Sequence, residues 1–287
     1  MNNYPLVSIL MTVYNREIFL VEAIESVLNI DYLNWELIIV DDCSSDNSWN
    51  IASKYAGCND RIKLYKNQSN VGDYPNRNSA ASYASGKYIV FVDSDDRIFP
   101  NSLVSWVSKM EKYNGNFGIF NHYFVDGTDE LDSFDVVRCH FLIHPVLNYG
   151  PIATIYNRNF FWSIGGFSIK YGPANDSYTN LKASSKTNKT IVFSTPLVNY
   201  RLHDGQELNN KYSYIYNNYL YFQDCLKDLD LPLSTRELVF FEKKNKRRFF
   251  VNIVIYTTRT LNFKKAKLAV DRAKFRWIDV YTAIFQR

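Results

Sequence analysis

Three carboxylates stand directly after a short apolar run near the ninetieth residue. The run spans 88–92, and Asp93, Asp95 and Asp96 follow it. A continuous apolar run bounded by polar residues is typical of a buried strand in a parallel sheet. Such sheets bind ligands at the carboxyl ends of their strands, and clustered carboxylates favour a hard cation such as Mg²⁺ or Mn²⁺. The spacing therefore predicts a site for a metal and a substrate diphosphate; the alternative is an acidic turn in which Asp96 caps the helix after Pro100.

The elements that would carry these carboxylates alternate along the first hundred residues. Apolar runs predict strands over 6–13, 35–42, 61–65 and 88–93, and helical spacing predicts helices over 17–29, 47–56 and 72–86. This alternation is the signature of an α/β protein with a doubly wound, mostly parallel sheet and helices on both faces. The first strand ends in Thr12 and Tyr14 and the second ends in Asp42, so we expect these residues at the same edge as Asp93.

The rest of the chain has a less regular pattern. Helices are predicted over 100–113, 158–164 and 176–186, strands over 117–125, 191–193 and 197–200, and a loop with some strand over 126–150. Beyond Asn209 the spacing predicts three further helices, over 211–228, 234–259 and 264–285. We therefore expect an α/β catalytic domain over 1–208 and a helical, basic, aromatic-rich C-terminal region over 209–287.

Composition and short motifs exclude several classes of protein. The chain has 287 residues, 46% of them hydrophobic and 22% charged, as in ordinary globular proteins. No two of the four cysteines have C-x-x-C spacing, so neither a zinc knuckle nor a redox motif is indicated. A disulfide framework is not expected at this size, and a reducing, cytoplasmic compartment is the default expectation. We also expect no signal peptide and no membrane-spanning run. Neither G-x-G-x-x-G nor a Walker A sequence follows the first strand, which argues against nicotinamide enzymes and P-loop NTPases.

Positive charge is concentrated at the C-terminal end. The net charge is +4 overall, +10 over 234–287 and −6 over the remainder. The basic cluster 243–248 precedes the apolar 249–251, which is typical of an amphipathic helix at the inner face of a membrane. The alternative is a helical cap that packs its aromatics on the catalytic domain or on a second subunit, with its basic face in water. Nucleic acid is not expected as a partner, because no known binding motif is present.

Six short motifs occur in a characteristic order. They are Val-Ser-Ile-Leu-Met-Thr-Val-Tyr-Asn at 7–15, Ile-Val-Asp-Asp-Cys-Ser-Ser-Asp at 39–46, Asn-Val-Gly and Asn-Arg-Asn within 70–78, Gly-Lys-Tyr-Ile-Val-Phe-Val-Asp-Ser-Asp-Asp at 86–96, Gly-Gly-Phe at 165–167 and Asn-Asp at 175–176. Together they resemble the family 2 glycosyltransferases of the A fold over roughly residues 5–205. The resemblance implies an inverting transferase that uses a nucleotide-activated sugar and a divalent cation, Mn²⁺ or Mg²⁺.

The resemblance also implies roles for individual residues. The residues expected to contact the donor are Thr12, Tyr14, Asp42, Arg77, Asp93 and Asp96. Asp42 would bind the base, typically uracil, and Arg77 would lie near the base or the diphosphate. Asp95 and His203 would hold the metal, and Asp176 would be the catalytic base. Asn175 stands where a glutamate is usual, so a second carboxylate is missing there.

Each of these residues also has a simpler structural interpretation. Asp42 and Asp176 could cap helices, Arg77 could be a solvated helix residue and His203 could be structural. His122, His140 and His144 lack ligand-like spacing with the carboxylates and are interpreted as structural. These alternatives stay open at the level of sequence.

The function expected from the resemblance is that of a hexosyl- or hexosaminyltransferase. It would move a sugar from a nucleoside diphosphate, most often uridine diphosphate, to a saccharide or lipid-linked saccharide in the synthesis of a surface polysaccharide. Assembly into a homo-oligomer is left open. One alternative is a nucleotide-binding module that keeps the transferase fold without turnover. Another is a nucleotidyltransferase, which is disfavoured because Tyr14-Asn15-Arg16 stands where a glycine-rich basic loop is expected.

Overall fold

A mixed eight-stranded sheet forms the centre of the described part of the chain. The computed structural model describes residues 4–124, 129–203 and 211–285. The strands are β1 Val7–Val13, β2 Trp35–Asp41, β3 Ile62–Lys66, β4 Tyr88–Phe91, β5 Arg97–Ile98, β6 Phe117–Phe120, β7 Glu130–Asp132, β8 Thr154–Asn157, β9 Lys189–Phe193 and β10 Val198–Asn199. The main sheet has the order β3-β2-β1-β4-β8-β6-β9-β7, and β5 pairs separately with β10.

Helices cover both faces of this sheet. They are α1 Leu20–Leu28, α2 Ser48–Cys58, α3 Asp73–Ser82, α4 Ser102–Lys112, α5 Ser133–Leu142, α6 Arg158–Ser163, α7 Asn175–Ser185, α8 Lys211–Asp228, α9 Thr235–Thr260, α10 Phe263–Arg272 and α11 Trp277–Phe285. Successive residues of β1 point to opposite faces, so Ile9 and Met11 belong to one hydrophobic core and Leu10 to the other. The two cores fix β1 in register between helical layers, as a doubly wound fold requires.

The predicted mostly parallel sheet is confirmed, with an antiparallel insertion. Strands β3, β2, β1 and β4 pair in parallel. Strand β8 then lies antiparallel between β4 and β6, although it follows both of them in sequence. Because β5, β6 and β7 lie between β4 and β8 in the sequence, the place of β8 in the sheet could not be inferred from local alternation.

Three predicted segments were wrong in detail. The stretch 126–150 contains helix α5 as well as strand β7. The strand predicted over 117–125 ends at Phe120, because the Asn121 side chain donates to the Val146 carbonyl and accepts from the Tyr123 amide, which turns the chain; residue 125 lies outside the described residues. The single helix predicted over 264–285 is divided into α10 and α11 at Lys274, whose φ of 50° is left-handed.

The loops after β1 and β2 are bonded to each other at the carboxyl edge of the sheet. Asn15 adopts a left-handed φ of 51°. Its amide donates to the Ser44 hydroxyl at 3.0 Å, and its side-chain oxygen accepts from the Ser45 amide at 2.9 Å. The next amide, that of Arg16, donates to the Ser48 hydroxyl at 2.9 Å. These bonds hold the side chain of Arg16 beside the end of β4.

The C-terminal helices pack on the α/β body. Phe141 of α5 contacts Phe222 of α8 and Phe241 of α9. Arg138 of α5 pairs with Glu237 of α9 at 3.0 Å. These contacts confirm that the C-terminal helices pack aromatic side chains on the α/β body, as the helical-cap alternative expected. A domain boundary at residue 208 stays a prediction. Within 4–124, 129–203 and 211–285, no helix combines the length and the apolar character needed to cross a bilayer.

Candidate active site

The turn after β4 gathers the three predicted carboxylates. One oxygen from each of Asp93, Asp95 and Asp96 lies within 4.8 Å of the others. Asp95 Oδ2 accepts from Arg16 Nε at 2.9 Å and lies 3.0 Å from His203 Nε2. The three carboxylates predicted from their spacing in the sequence therefore do lie together. His203 joins them although it is 108 residues away from Asp95 in the sequence.

Asp96 is the most enclosed of the three carboxylates. Its Oδ1 accepts from the backbone amide of Arg201 at 2.8 Å, whereas its buried Oδ2 has no hydrogen-bond partner among the described residues. Burial, together with the negative charges of Asp93 and Asp95, raises the pKa of Asp96 to about 7, although the hydrogen bond from the Arg201 amide opposes the change. A nearby cation would stabilise the ionised form of this buried carboxyl group.

The cluster fits a hard divalent cation. All three donors are carboxylates, the ligands that Mg²⁺ and Mn²⁺ prefer, and Asp96 Oδ2 is a buried oxygen that a cation would satisfy. Arg16 and His203 both contact the same oxygen of Asp95. A cation bound through that oxygen would have to share it with these two side chains or displace them.

Arg77 lies on α3 behind the cluster. Its Nη1 donates to Asp93 Oδ1 at 2.7 Å, and its Nε lies 2.8 Å from Asp73 Oδ1. Burial acts to lower the pKa of Arg77, but the carboxylates of Asp73 and Asp93 raise it above its ordinary value, so the guanidinium stays charged. Because Arg77 is buried, its interpretation as a solvated helix residue is wrong.

Asp176 lies in the first turn of α7. Its Oδ1 accepts from the backbone amide of Ser177, and its Oδ2 faces Gly150, where an added Cβ would lie 3.9 Å away. Burial raises the pKa of Asp176 to about 7, although the bonds from Ser177 and the charge of Arg77 oppose the change. The N-cap of α7 is Ala174, so Asp176 is not the capping residue.

Asp42 holds the loop that leads into α3. Its Oδ1 accepts from the Asn67 side chain at 2.7 Å and the Val71 amide at 3.0 Å, and its Oδ2 accepts from the Gly72 amide at 2.9 Å. The N-cap of α2 is Asn47, so the capping interpretation of Asp42 is wrong. A carboxylate has about four acceptor positions, so these three bonds leave room for one more donor.

Thr12 and Tyr14 lie at the end of β1, on the same edge as Asp42. Thr12 is half-buried and pairs in register with Val40, and Tyr14 is exposed just beyond the strand. The contacts predicted between these residues and a nucleotide stay predictions.

The sequence did not single out Arg16, Phe19 or Arg201. Phe19 packs its ring 4.7 Å from that of His203, and the Arg201 guanidinium lies 5.0 Å from the Phe19 ring. One signal was available for Arg16: a basic residue directly after the first strand lies at the edge where the β4 carboxylates end. Of the histidines interpreted as structural, His140 is buried and accepts from the Leu147 amide through Nδ1; burial lowers its pKa to about 3.

Comparison with known proteins identifies the family. The family model described as Glycosyl transferase family 2 matches residues 8–165. The chain belongs to this family. The UDP-Glc:alpha-D-GlcNAc-diphosphoundecaprenol beta-1,3-glucosyltransferase WfaP of Escherichia coli is 31% identical over 245 residues, or 82% of this chain and 91% of that one.

Other family 2 relatives are similar over a shorter region. The enzyme WfgD of Escherichia coli, whose name specifies the same activity as that of WfaP, is 42% identical over 132 residues, 44% of this chain and 51% of its own. Glycosyltransferase GlyG of Streptococcus pneumoniae is 32% identical over 153 residues, 53% of this chain and 50% of its own. The chain thus spans about half the length of several curated relatives that it matches.

Solved structures confirm the predicted A-type transferase fold. TarS 1–349 of S. aureus in complex with UDP-GlcNAc has a TM-score of 0.70 at 18% identity, covering 96% of this chain and 81% of that one. The mannosyltransferase PcManGT of Pyrobaculum calidifontis, in complex with GDP-Man and Mn²⁺, has a TM-score of 0.66 at 16% identity, covering 98% and 86%. At these identities the similarity concerns the fold alone.

Proposed function

We propose that this family 2 glycosyltransferase moves a sugar, with inversion, from a uridine diphosphate donor to a hydroxyl of a lipid-linked saccharide. The observation that carries the proposal is the position of Arg77. It pairs with Asp93 at 2.7 Å, and its charge opposes the raised pKa of Asp176, so one guanidinium is electrostatically coupled to a donor-side and an acceptor-side carboxylate. The names of WfaP and WfgD, which specify a UDP-sugar donor and a diphosphoundecaprenol acceptor, support the proposed substrates.

Asp176 is the proposed general base. It accepts the proton of the acceptor hydroxyl while that oxygen forms a bond to the anomeric carbon, and the bond from this carbon to the diphosphate oxygen breaks. The nucleoside diphosphate leaves with the bonding electrons from the opposite face, which inverts the configuration. A pKa of about 7 makes the Asp176 carboxylate a stronger base than an ordinary aspartate.

The proposed donor site lies at the carboxyl ends of β1, β2 and β4. Asp93, Asp95 and Asp96, with His203, are the proposed ligands of a divalent cation. Such a cation, when bound, neutralises negative charge on the leaving diphosphate. Asp42, held in place by the 67–72 loop, is the proposed hydrogen-bond partner of the uracil ring of the donor, with Thr12 and Tyr14 beside it.

The proposed location is the cytoplasm. The four cysteines of the chain are free thiols, which suits a reducing compartment. The donor and acceptor chemistry proposed here place the reaction at the surface of a membrane, where a lipid-linked saccharide is reached.

The test combines donor binding with turnover. Isothermal titration calorimetry with UDP is expected to detect one site in Mn²⁺ or Mg²⁺ and much weaker binding in EDTA. Asp95→Asn should remove the metal-dependent part, whereas the control Asp60→Asn, an exposed aspartate at the opposite edge of the sheet, should not. Transfer to a lipid-linked saccharide is then followed by chromatography, with NMR of the new anomeric centre.

The outcomes distinguish the candidate functions. Binding with transfer to an inverted product supports the proposal. Binding without transfer to any of a panel of acceptors would support the nucleotide-binding module instead. Failure to bind any nucleoside diphosphate, with or without metal, would contradict the proposed donor site altogether.

A further inference from the structure

Helix α11 presents an apolar face to the surroundings of the protein. Trp277, Ile278, Tyr281 and Ile284 are 88%, 58%, 54% and 50% exposed. Residues spaced by three or four along a helix share one face. These four side chains, which we call the α11 strip, therefore form a continuous aromatic and aliphatic surface.

The opposite face of α11 fixes this orientation. Asp279 is buried, and its Oδ1 lies 3.0 Å from Nζ of Lys246 on α9. Its Oδ2 accepts from the backbone amide of Arg276 at 2.9 Å, which closes the first turn of the helix. Ala283, one turn further on, is also buried. The strip is thus held outward by packing and ion pairing on its inner face, and does not result from a frayed end.

Basic side chains border the strip. Arg276, directly before the helix, has 78% of its side chain exposed, and Lys274 is exposed two residues earlier. On α9, Lys243 and Arg247 lie within one turn of Lys246, at about 60° and 100° around the helix from it. The strip therefore stands next to exposed basic side chains at its N-terminal end.

We propose that the α11 strip docks on the surface of an anionic bilayer. Tryptophan and tyrosine favour the headgroup level of a membrane because their rings are apolar and their N–H or O–H is polar. Lysines and arginines beside such a surface are attracted to anionic lipid phosphates. The helix would lie in the plane of the interface, as amphipathic helices do, with Trp277 and Ile278 entering the acyl boundary.

A second copy of this chain fits the strip less well than a bilayer. The four side chains have at most ~250 Å² each and are between half and nine-tenths exposed, so together they offer roughly 500 Å² of surface. A stable dimer buries about 800 Å² on each partner. The +10 charge of residues 234–287 would also repel the same region of another copy, whereas it complements a negative membrane.

Docking on a membrane would bring the enzyme to a lipid-linked acceptor. The biological purpose of the α11 strip therefore rests on the proposed function. The experiment needs neither donor nor acceptor. The full chain is sedimented with phosphatidylcholine vesicles that contain or lack phosphatidylglycerol, at low and high salt. We expect binding to the anionic vesicles that weakens with salt.

Two matched variants test the strip. Trp277→Glu should weaken vesicle binding by about tenfold or more, because a large aromatic surface no longer enters the interface. Leu33→Glu adds the same charge at a leucine that is 76% exposed before β2, and should bind as the unmodified protein does. Circular dichroism and UDP titration show that both variants stay folded.

Three results would overturn the inference. The first is that the unmodified protein does not bind anionic vesicles. The second is that Trp277→Glu and Leu33→Glu bind equally. The third is that sedimentation equilibrium shows a dimer that Trp277→Glu dissociates, with no vesicle binding, which would make the strip a face between two copies. Normal UDP binding in any of these cases leaves the proposed function intact, whereas vesicle binding without UDP binding contradicts only the proposed function.

Discussion

Replacing Asp176 with asparagine is expected to abolish sugar transfer and to stabilise the protein at alkaline pH. Asparagine keeps the size of the side chain and one oxygen for the Ser177 amide, but it cannot accept a proton. Loss of a general base lowers turnover by about 10²–10⁴-fold. UDP affinity should stay unchanged, because Asp176 is not among the proposed donor contacts.

The effect on stability follows from the pKa of the carboxyl group. Burial raises this pKa from its ordinary value of 3.8 to about 7. Between these values the unfolded chain has released its proton and the folded chain has not, so stability falls as pH rises through this range and stays low above about 7. The full shift corresponds to about 4 kcal/mol, which solvent screening of a partly exposed residue reduces to about 1–3 kcal/mol.

Urea unfolding at pH 4 and pH 8, together with transfer assays, measures both effects. Asp176→Asn should be about 1–3 kcal/mol more stable than the unmodified protein at pH 8, with a much smaller advantage at pH 4. Asp60→Asn is the control and should show neither effect. A difference that is the same at both pH values would refute the raised pKa. Loss of UDP binding together with turnover would mean that Asp176 holds the donor or the fold.

Two further variants test the cationic partner of Asp95 and the ion pair of Glu36. Arg16→Ala removes one cationic donor from Asp95 Oδ2, so Mn²⁺ affinity without nucleotide should rise by about 3–10-fold in an electron paramagnetic resonance titration, and an unchanged affinity would contradict competition. Burial acts to raise the pKa of Glu36, but hydrogen bonds from Lys63, Ser8 and Ser85 lower it to about 2. The ionised side chain therefore stabilises the folded protein fully above pH 4.5, and this contribution is lost as the pH falls toward about 2. Glu36→Gln should lower stability by about 2–3 kcal/mol at pH 7 and by less at pH 3; a loss independent of pH would argue against the ion pair.

Local patterns were sufficient for the first half of the sheet. Strands β1 to β4 each coincide with an apolar run, and their parallel pairing follows from the helices between them. Helix α5 was missed although its signals are present: Asp132 caps it by accepting from the Phe134 amide. Its adjacent Val136 and Val137 have low helix propensity, and tertiary burial of that face outweighs this preference.

The candidate site was predictable where its members are close in sequence. The spacing of Asp93, Asp95 and Asp96 implied their proximity in space. The contact between Arg16 and Asp95 spans 79 residues and depends on the bonds that join the loops after β1 and β2. The Arg201 amide that binds Asp96 comes from 105 residues away, and a backbone group leaves no signal in the identity of a residue.

The turn that carries Asp176 is shaped by α8. The Tyr171 hydroxyl donates to Asp224 at 2.6 Å, and an added Cβ on Gly172 would lie 2.6 Å from the Asn217 side chain. The family match ends at residue 165, before this turn. A chimera that takes its C-terminal helices from a relative should therefore be joined ahead of Tyr171, since a junction at residue 208 would combine one parent's turn with the other parent's α8. Asp176, the proposed proton acceptor, therefore depends for its position on contacts that come from outside the α/β body.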